Sequence, residues 1–530
     1  MHLGTPLPPV VADRLMRLDG LPAPDGPGCA LGIYLDGQLV HASCHGLASV
    51  EQAVPLSPHS LFDVASVSKQ FCAAAVLQLS LEGRIDLDAD LRTSLFPELR
   101  LQVPVTARQC LHHTAGLRDY FSLLELAGRS AAELPDDDAV VALVARQRDT
   151  SFAPGSRHLY SNSGYVLLSA LVKRATGQTL RDYTAAAIFG PLGMTATHFR
   201  DDVAEVVRGR ATGHERGREG RWRLADAPFG VVGDGGLLTN LVDLGRWAAF
   251  LGTGEVLGVV LRDALLERIR LTDGTALDYA RGLQHRRRRG VDLVEHGGSF
   301  VGFRAHLVQA PEQGCVVAVL GNRADLAPQR LALAALDIVL EHRGAELDDD
   351  EPVVPPHAAD EPARLGLWRD PESGLYASTV ERGGVLRIQA LGLDLATQQI
   401  DGRLQLQDAP LPLEVNVSST RLEFSLSGRT QGLPAYEPVQ PTAETAGVAG
   451  GYRSDELEVE ARVEQTPEGL LMTLGSAEPQ QLHAAVDDEL WCSSATVRVR
   501  RVHEQVVALE LSNGRALRVR FDRVPAEAPS

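Results

Sequence analysis

The sequence predicts a multidomain α+β protein in which one large sheet-and-helix unit precedes two small antiparallel β-barrel domains. Three observations carry this reading. Strand-like segments stand at both ends of the first 343 residues with helical patterns between them, an acidic proline-rich stretch follows, and the remaining chain turns to short alternating segments punctuated by turn residues. At 530 residues the chain also exceeds what one hydrophobic core usually serves.

Val11, Leu15 and Leu18 recur at helical spacing over residues 8–19. Residues 30–48 read as two strands joined at Asp36-Gly37, a dipeptide suited to the positive φ values of a tight hairpin. A long apolar helix opens at Ser66 and ends near Gly83. Helical patterns then dominate up to about residue 275, with loops at 112–120, 153–164 and 229–236. Strand character returns over 280–320, ending in the apolar run 315–320, and 328–342 reads as a closing helix. Strands from both ends therefore share one sheet, flanked by helices and by a helical subdomain. The expected divisions are 1–343 for this unit, 344–362 for an acidic Pro-rich linker, 363–438 for the first barrel, 439–446 for a second linker and 447–526 for the second barrel. The barrels echo one another: Gly366-Leu367-Trp368-Arg369 returns as Gly450-Gly451-Tyr452-Arg453, through internal duplication or through chance similarity of two strand-opening segments.

Apolar residues at 44% and charged residues at 23% are ordinary for a globular protein, and a formal charge of −18 argues against a nucleic-acid partner. The basic run Arg286-Arg287-Arg288-Arg289 is expected at a solvated hairpin tip. No apolar stretch approaches the roughly 20 residues that span a bilayer, and the N-terminus lacks the basic and apolar regions of a secretory leader. No membrane association is expected, and the cytoplasm is the expected location. Six cysteines without CxxC spacing suggest buried free thiols; neither metal nor cofactor is expected.

Only two of the 51 cationic side chains are lysines, and one of them, Lys69, stands three residues after Ser66. Guanidinium stays protonated in proteins, whereas a partly desolvated ε-amine can act as a base, so arginine cannot replace a catalytic lysine. A spacing of three on a helix puts Ser66 and Lys69 on one face, with the N-terminal N–H groups available to an oxyanion. Tyr160-Ser161-Asn162 supplies a phenol that can relay a proton and an amide that can hold substrate. In His296-Gly297-Gly298-Ser299 the glycines allow close backbone approach, the Ser299 N–H can complete an oxyanion hole with that of Ser66, and His296 would place a polarising or proton-shuttling imidazole beside the cleft.

In that order and spacing, Ser66-Val67-Ser68-Lys69, Tyr160-Ser161-Asn162 and His296-Gly297-Gly298 resemble the three signatures of the penicillin-recognising serine hydrolases: class C β-lactamases, D,D-peptidases and related esterases. The resemblance implies a β-lactamase/transpeptidase-like catalytic domain and an acyl-enzyme on Ser66, with Lys69 or Tyr160 as general base. The family's Lys-Thr-Gly is His-Gly-Gly here, which points to the D-aminopeptidase and esterase branches. D-aminopeptidases similarly carry two barrels after the catalytic domain, and a loop of the third domain enters the cleft to select substrates with a free amino terminus. The matching loop here is 474–480, with Glu478 as the carboxylate expected to meet the substrate ammonium. The resemblance thus implies a serine-type D-aminopeptidase for a small peptide, amide or ester with an N-terminal D-residue such as D-alanine. A carboxylesterase or β-lactamase-like hydrolase of small esters and amides, and a non-catalytic peptide-binding protein of the same fold, are the alternatives; a homodimer is compatible with either activity.

Overall fold

The structure is a computed structural model that describes residues 5–134, 136–217, 219–348, 365–371, 374–390, 393–400, 403–406, 413–418, 421–426, 435–439, 445–492 and 494–525. Six antiparallel strands, labelled β1–β6 in chain order, form the large sheet: Cys29–Leu35, Gln38–His45, Gln284–Arg288, Val291–Phe300, Phe303–Ala310 and Cys315–Gly321. Their spatial order is β3-β4-β5-β6-β1-β2, so the first strand of the chain lies beside the last, with Leu31 opposite Val319. The sheet is built from both ends of the unit, as the sequence predicts. Central β1 and β6 are buried almost throughout, which is why they read as unbroken apolar runs, while edge strand β2 buries only Leu39 and Ser43. Asp36 (φ 49°) and Gly37 (φ 78°) supply the two left-handed residues of the β1–β2 turn.

Alternate residues of these strands serve two cores. On one face Leu31, Ile33, Val317 and Val319 pack beneath Val11 and Leu15 of the Pro9–Leu15 helix and Leu336 and Val339 of the Pro328–His342 helix. On the other, Tyr34, Ala318 and Leu320 join the helical middle through Phe71 and Trp247. Tyr34 donates its hydroxyl to Leu241 O (2.6 Å), so the buried phenol is satisfied.

Two closed eight-stranded barrels follow, the first running from Gly366–Arg369 to Ala435–Val439 and the second from Gly450–Ser454 to Ala516–Arg523. The echoed tetrapeptides are the opening strands of the two barrels, and Trp368 and Tyr452 occupy matching, fully buried places in them. The fold class is therefore the multidomain α+β arrangement read from the sequence. Of the expected linkers, 349–362 and 440–444 lie outside the described residues. All six cysteines are free thiols, five buried and Cys44 half-buried. Among the described residues no helix is long and apolar enough to cross a membrane. The arginine run does sit at a hairpin tip, β3–β4, yet its charges are neutralised by the fold. Buried Arg286 pairs with Glu295 (3.3 Å), Arg287 with Asp292 (3.0 Å), and Arg289 with Asp337 on the closing helix (2.9 Å).

Candidate active site

The helix expected to open at Ser66 begins three residues later. Ala65–Ser68 is a 3₁₀ turn that feeds the Lys69–Leu81 helix. Ala65 has φ 46°, a conformation that costs a non-glycine residue about 1–3 kcal/mol, and it is held there by Asp63 Oδ1 accepting its N–H (2.8 Å). Ser68 Oγ accepts the N–H of Leu237 (3.1 Å), which ties the turn to the 233–237 loop. Half-buried Ser66 is thereby set beside a fully buried lysine. Lys69 Nζ lies 3.1 Å from Ser66 Oγ, 2.8 Å from Asn162 Oδ1 and 2.6 Å from the backbone oxygen of Asp234.

Asn162 opens the Asn162–Thr176 helix, and its N–H donates to Asp119 Oδ2 (2.7 Å). The other oxygen of Asp119 caps the Tyr120–Leu126 helix, so one buried carboxylate fixes two helix starts and, through Asn162, the lysine. The aromatic ring of Tyr160 faces Lys69, with Nζ 4.8 Å from its centroid, and stacks on His113 at 4.1 Å. Its hydroxyl is buried without a hydrogen-bond partner, so the phenol neighbours the lysine through its ring rather than through a hydrogen bond.

The glycines of β4 do what close approach requires. A Cβ on Gly298 would lie 2.1 Å from Val64 O and 3.2 Å from Ser66 N, so any side chain there would push the strand off the nucleophile turn. This fit brings Ser299 to the cleft that Ser66 lines. His296 is placed differently from expectation. Its Nδ1 lies 2.7 Å from Gly297 O and its Nε2 3.1 Å from the Tyr279 hydroxyl, which is also 3.1 Å from His113 Nε2. Protons in this relay are fixed by one backbone donor. Ser161 N–H donates to His113 Nδ1 (3.1 Å), so His113 carries its proton on Nε2 and gives it to Tyr279. Tyr279 in turn donates to His296 Nε2, and His296 donates from Nδ1 to Gly297 O. Burial, with Lys69 nearby, pushes the His296 pKa down to about 3. With both ring nitrogens engaged, His296 anchors the β4 backbone at Gly297.

Ser66, Asn162, Ser299 and Asp234 line one cleft together with Phe121, Phe229 and Phe300. Asp234 sits in the Gly233-Asp234-Gly235-Gly236 loop, whose glycines at 233 and 236 have φ 100° and 76°. Its Oδ2 accepts the Tyr120 hydroxyl (2.9 Å), while Oδ1 is buried without a partner. Burial pushes this carboxyl up and Lys69 draws it back down.

The 474–480 loop does not join this cluster. Ser476 Oγ contacts Gly128 O (3.5 Å), Leu474 O packs against Gly128, and Glu478 is exposed. A different element of the second barrel reaches the site: the tip of its last hairpin, between strands Gln505–Asn513 and Ala516–Arg523. Asp119 N–H donates to Arg515 O (3.0 Å), the Arg515 guanidinium lies 3.3 Å from Asp119 Oδ1, and it stands 5.9 Å from the Tyr160 ring. His113, Asp119 and Asp234 fall in loops to which the sequence reading gave no catalytic role, and Tyr279 was passed over. An aspartate immediately before the Tyr120–Leu126 helix was the one local signal for Asp119.

The Beta-lactamase family profile matches residues 18–341. The sequence is 29% identical to the D-aminopeptidase of Cereibacter sphaeroides over 97% of this chain and 99% of that one, and 26% identical to the D-aminopeptidase of Gluconobacter oxydans over 83% and 82%. In fold the protein resembles the octameric penicillin-binding protein homologue from Pyrococcus abyssi (TM-score 0.57, 22% identity), covering 78% of this chain and 96% of that one. With the family profile spanning well over half of the chain, from just after the Pro9–Leu15 helix to the helix that closes the sheet, this protein belongs to the Beta-lactamase family and is a β-lactamase-like serine hydrolase.

Proposed function

We propose that this protein releases N-terminal D-residues from short peptides, amides and esters through an acyl-enzyme on Ser66. The observation that carries the mechanism is the bonding of Lys69. A neutral amine has two N–H donors and one lone pair. Given to Asn162 Oδ1 and Asp234 O, the donors leave the lone pair for the hydroxyl proton of Ser66. After proton transfer the ammonium donates to all three oxygens, so the transfer needs no rearrangement. The Ser66 and Ser299 N–H groups hold the oxyanion, with the backbone of Gly297 and Gly298 along the substrate. Tyr160 gives its own phenolic proton to the leaving amine, the resulting phenolate beside the Lys69 ammonium takes that ammonium's proton in exchange, and water resolves the acyl-enzyme. Asn162, whose carbonyl oxygen is taken by Lys69, offers its NH₂ group to the substrate. His296 holds the glycine strand in place.

The choice of a free N-terminal D-residue rests on likeness to the Cereibacter D-aminopeptidase along nearly the whole chain. The exposed position of Glu478 favours a second reading, a carboxylesterase of small esters, which needs no acid for a substrate ammonium. Hydrolysis of D-alanyl and L-alanyl p-nitroanilides, a p-nitrophenyl ester and a chromogenic cephalosporin separates the two. The D-anilide is expected to turn over faster than its L-isomer, and Ser66→Ala to lower kcat by about 10⁴-fold or more. Turnover of the ester alone would leave the esterase reading; full activity of Ser66→Ala would overturn the mechanism.

A further inference from the structure

Two carboxylates line the cleft beside Ser66, and they differ in what is left of them. Asp63 spends Oδ1 on the N–H of Ala65 in the strained turn, and Arg210 and Arg200 offset its charge. Asp234 keeps Oδ1 without a partner in a buried position, a state that costs a polar atom about 1–3 kcal/mol and that marks a site of function more often than of stability. It is also locked in orientation. Tyr120 holds Oδ2, and the backbone oxygen of Asp234 is bonded to Lys69, so the free oxygen is fixed relative to the nucleophile. In an α-amino acyl substrate the ammonium is two bonds from the scissile carbonyl carbon, so its partner must lie next to Ser66, as Asp234 does.

The cleft also has an aromatic lining. Phe121, Phe229 and Phe300 form a continuous run with centroid separations of 5.9 Å and 5.6 Å, each ring half-buried, with Tyr120 6.3 Å behind Phe229. Three phenyl rings and a carboxylate lining one cleft suit a group that is cationic at one end and apolar at the other. We propose that this pocket is the subsite for the first residue of the substrate, with Asp234 Oδ1 taking the α-ammonium and the three phenylalanines taking an apolar, preferably aromatic, side chain. The inference rests on the aminopeptidase reading and replaces Glu478 by Asp234 as the ammonium acceptor. It also shifts the preferred first residue from D-alanine to one such as D-phenylalanine.

The test compares kcat/KM for D-phenylalanyl, D-alanyl and N-acetyl-D-phenylalanyl p-nitroanilides in wild type, Asp234→Asn and Phe229→Ala. Because each readout is a ratio within one variant, a general loss of activity cancels. Wild type should prefer the free over the acetylated amine by about 100-fold, the scale of a buried charge pair, and D-phenylalanyl over D-alanyl by at least about 10-fold. Asp234→Asn should bring the first ratio close to 1, chiefly through KM; a ratio kept at its wild-type value overturns the subsite. Should Asp234→Asn fail to fold by circular dichroism, Phe229→Ala decides: its D-phenylalanyl preference should fall several-fold, and an unchanged preference overturns the proposal. Wild type that cleaves none of the anilides but cleaves a p-nitrophenyl ester removes the aminopeptidase reading itself, a result distinct from a preserved ratio in Asp234→Asn.

Discussion

The two barrels share one topology, each closing its first strand onto its last, yet they are held to the molecule by different chemistry. The second barrel grips the loop that shapes the active site. Buried Arg118 donates to Glu456 Oε2 (2.7 Å), Leu517 O (3.0 Å) and Arg518 O (2.8 Å), and the next residue, Asp119, is bound by Arg515. Arg518 returns a bond to Ser151 O (2.7 Å), and Asn513 Nδ2 donates to Ser122 O (3.2 Å). The ties of the first barrel run to its neighbour: Arg369 and the Tyr376 hydroxyl both meet Glu489 of the second barrel, and Leu517 packs into the first barrel's core. The matching arginine of the second opening strand, Arg453, is exposed and pairs with Glu460 within its own barrel. One fold thus serves as part of an active-site wall in one copy and as a neighbour of that wall in the other; the hairpin ends decide which.

The sharpest way to test this division is acid. His112, His113 and His296 are buried and neutral in the catalytic unit, with pKa values of about 3 for His112 and His296 and well below the usual range for His113, each through burial first. Unfolded histidines bind protons from about pH 6.5 downward, whereas these do not until far lower, so the unfolded chain binds more protons in between. These three histidines therefore contribute stability in full above about pH 6.5 and lose it as pH falls, while buried Asp137 and Asp63, whose carboxyls burial pushes up to about 7 and about 6, act in the opposite direction. Hydrogen exchange should show the catalytic unit and the second barrel losing protection together. Separate loss, with the second barrel following the first, would break the contrast.

Arg118→Met comes next in size. It strands Glu456 in a nearly dry interface and should cost about 4 kcal/mol in urea unfolding. A cost below about 1 kcal/mol would show that the grip is not energetic. Arg515→Ala should act on rate more than on stability, because its side chain is 35% exposed while Asp119 is fully buried. Loosened Asp119 loosens Asn162 and with it Lys69, for an expected drop of about 10-fold in kcat with KM little changed. Partial recovery in Arg515→Lys would support positioning; unchanged kcat in Arg515→Ala would sever the second barrel from the chemistry.

Much of this was legible in the sequence for a local reason. Ser66 and Lys69 are one helical turn apart, Asp36-Gly37 makes its own hairpin, and apolar runs announce central strands whatever their partners. What was not legible depends on contacts across the chain. Arg515 and Asp119 meet because a barrel docks on a loop, and no pattern around either residue encodes the other. A histidine on a glycine strand can be seen in sequence, but not that Tyr279 and Gly297 O would consume both its nitrogens. The arginine run was placed correctly at a turn, where Arg287 is exposed, but its pairing with Glu295 and Asp337 was not legible because those carboxylates lie elsewhere in the chain.

The sequence pointed to the 474–480 loop as the one that enters the cleft, and its Glu478 supplies the smallest expected effect. Its loop rests against Gly128, at the far end of the helix that Asp119 caps, and its carboxylate is exposed. Exposed charges away from special features change stability by no more than about 0.5 kcal/mol. Glu478→Ala should therefore leave both the melting temperature and the preference for a free over an acetylated amino terminus as they are in wild type. The same loss measured in Asp234→Asn and absent in Glu478→Ala would place the choice of substrate in the catalytic unit, with the second barrel holding that unit in shape. A loss in Glu478→Ala alone would reverse those roles, because the barrel would then have to bring its carboxylate to the substrate through a movement of the 474–480 loop away from Gly128.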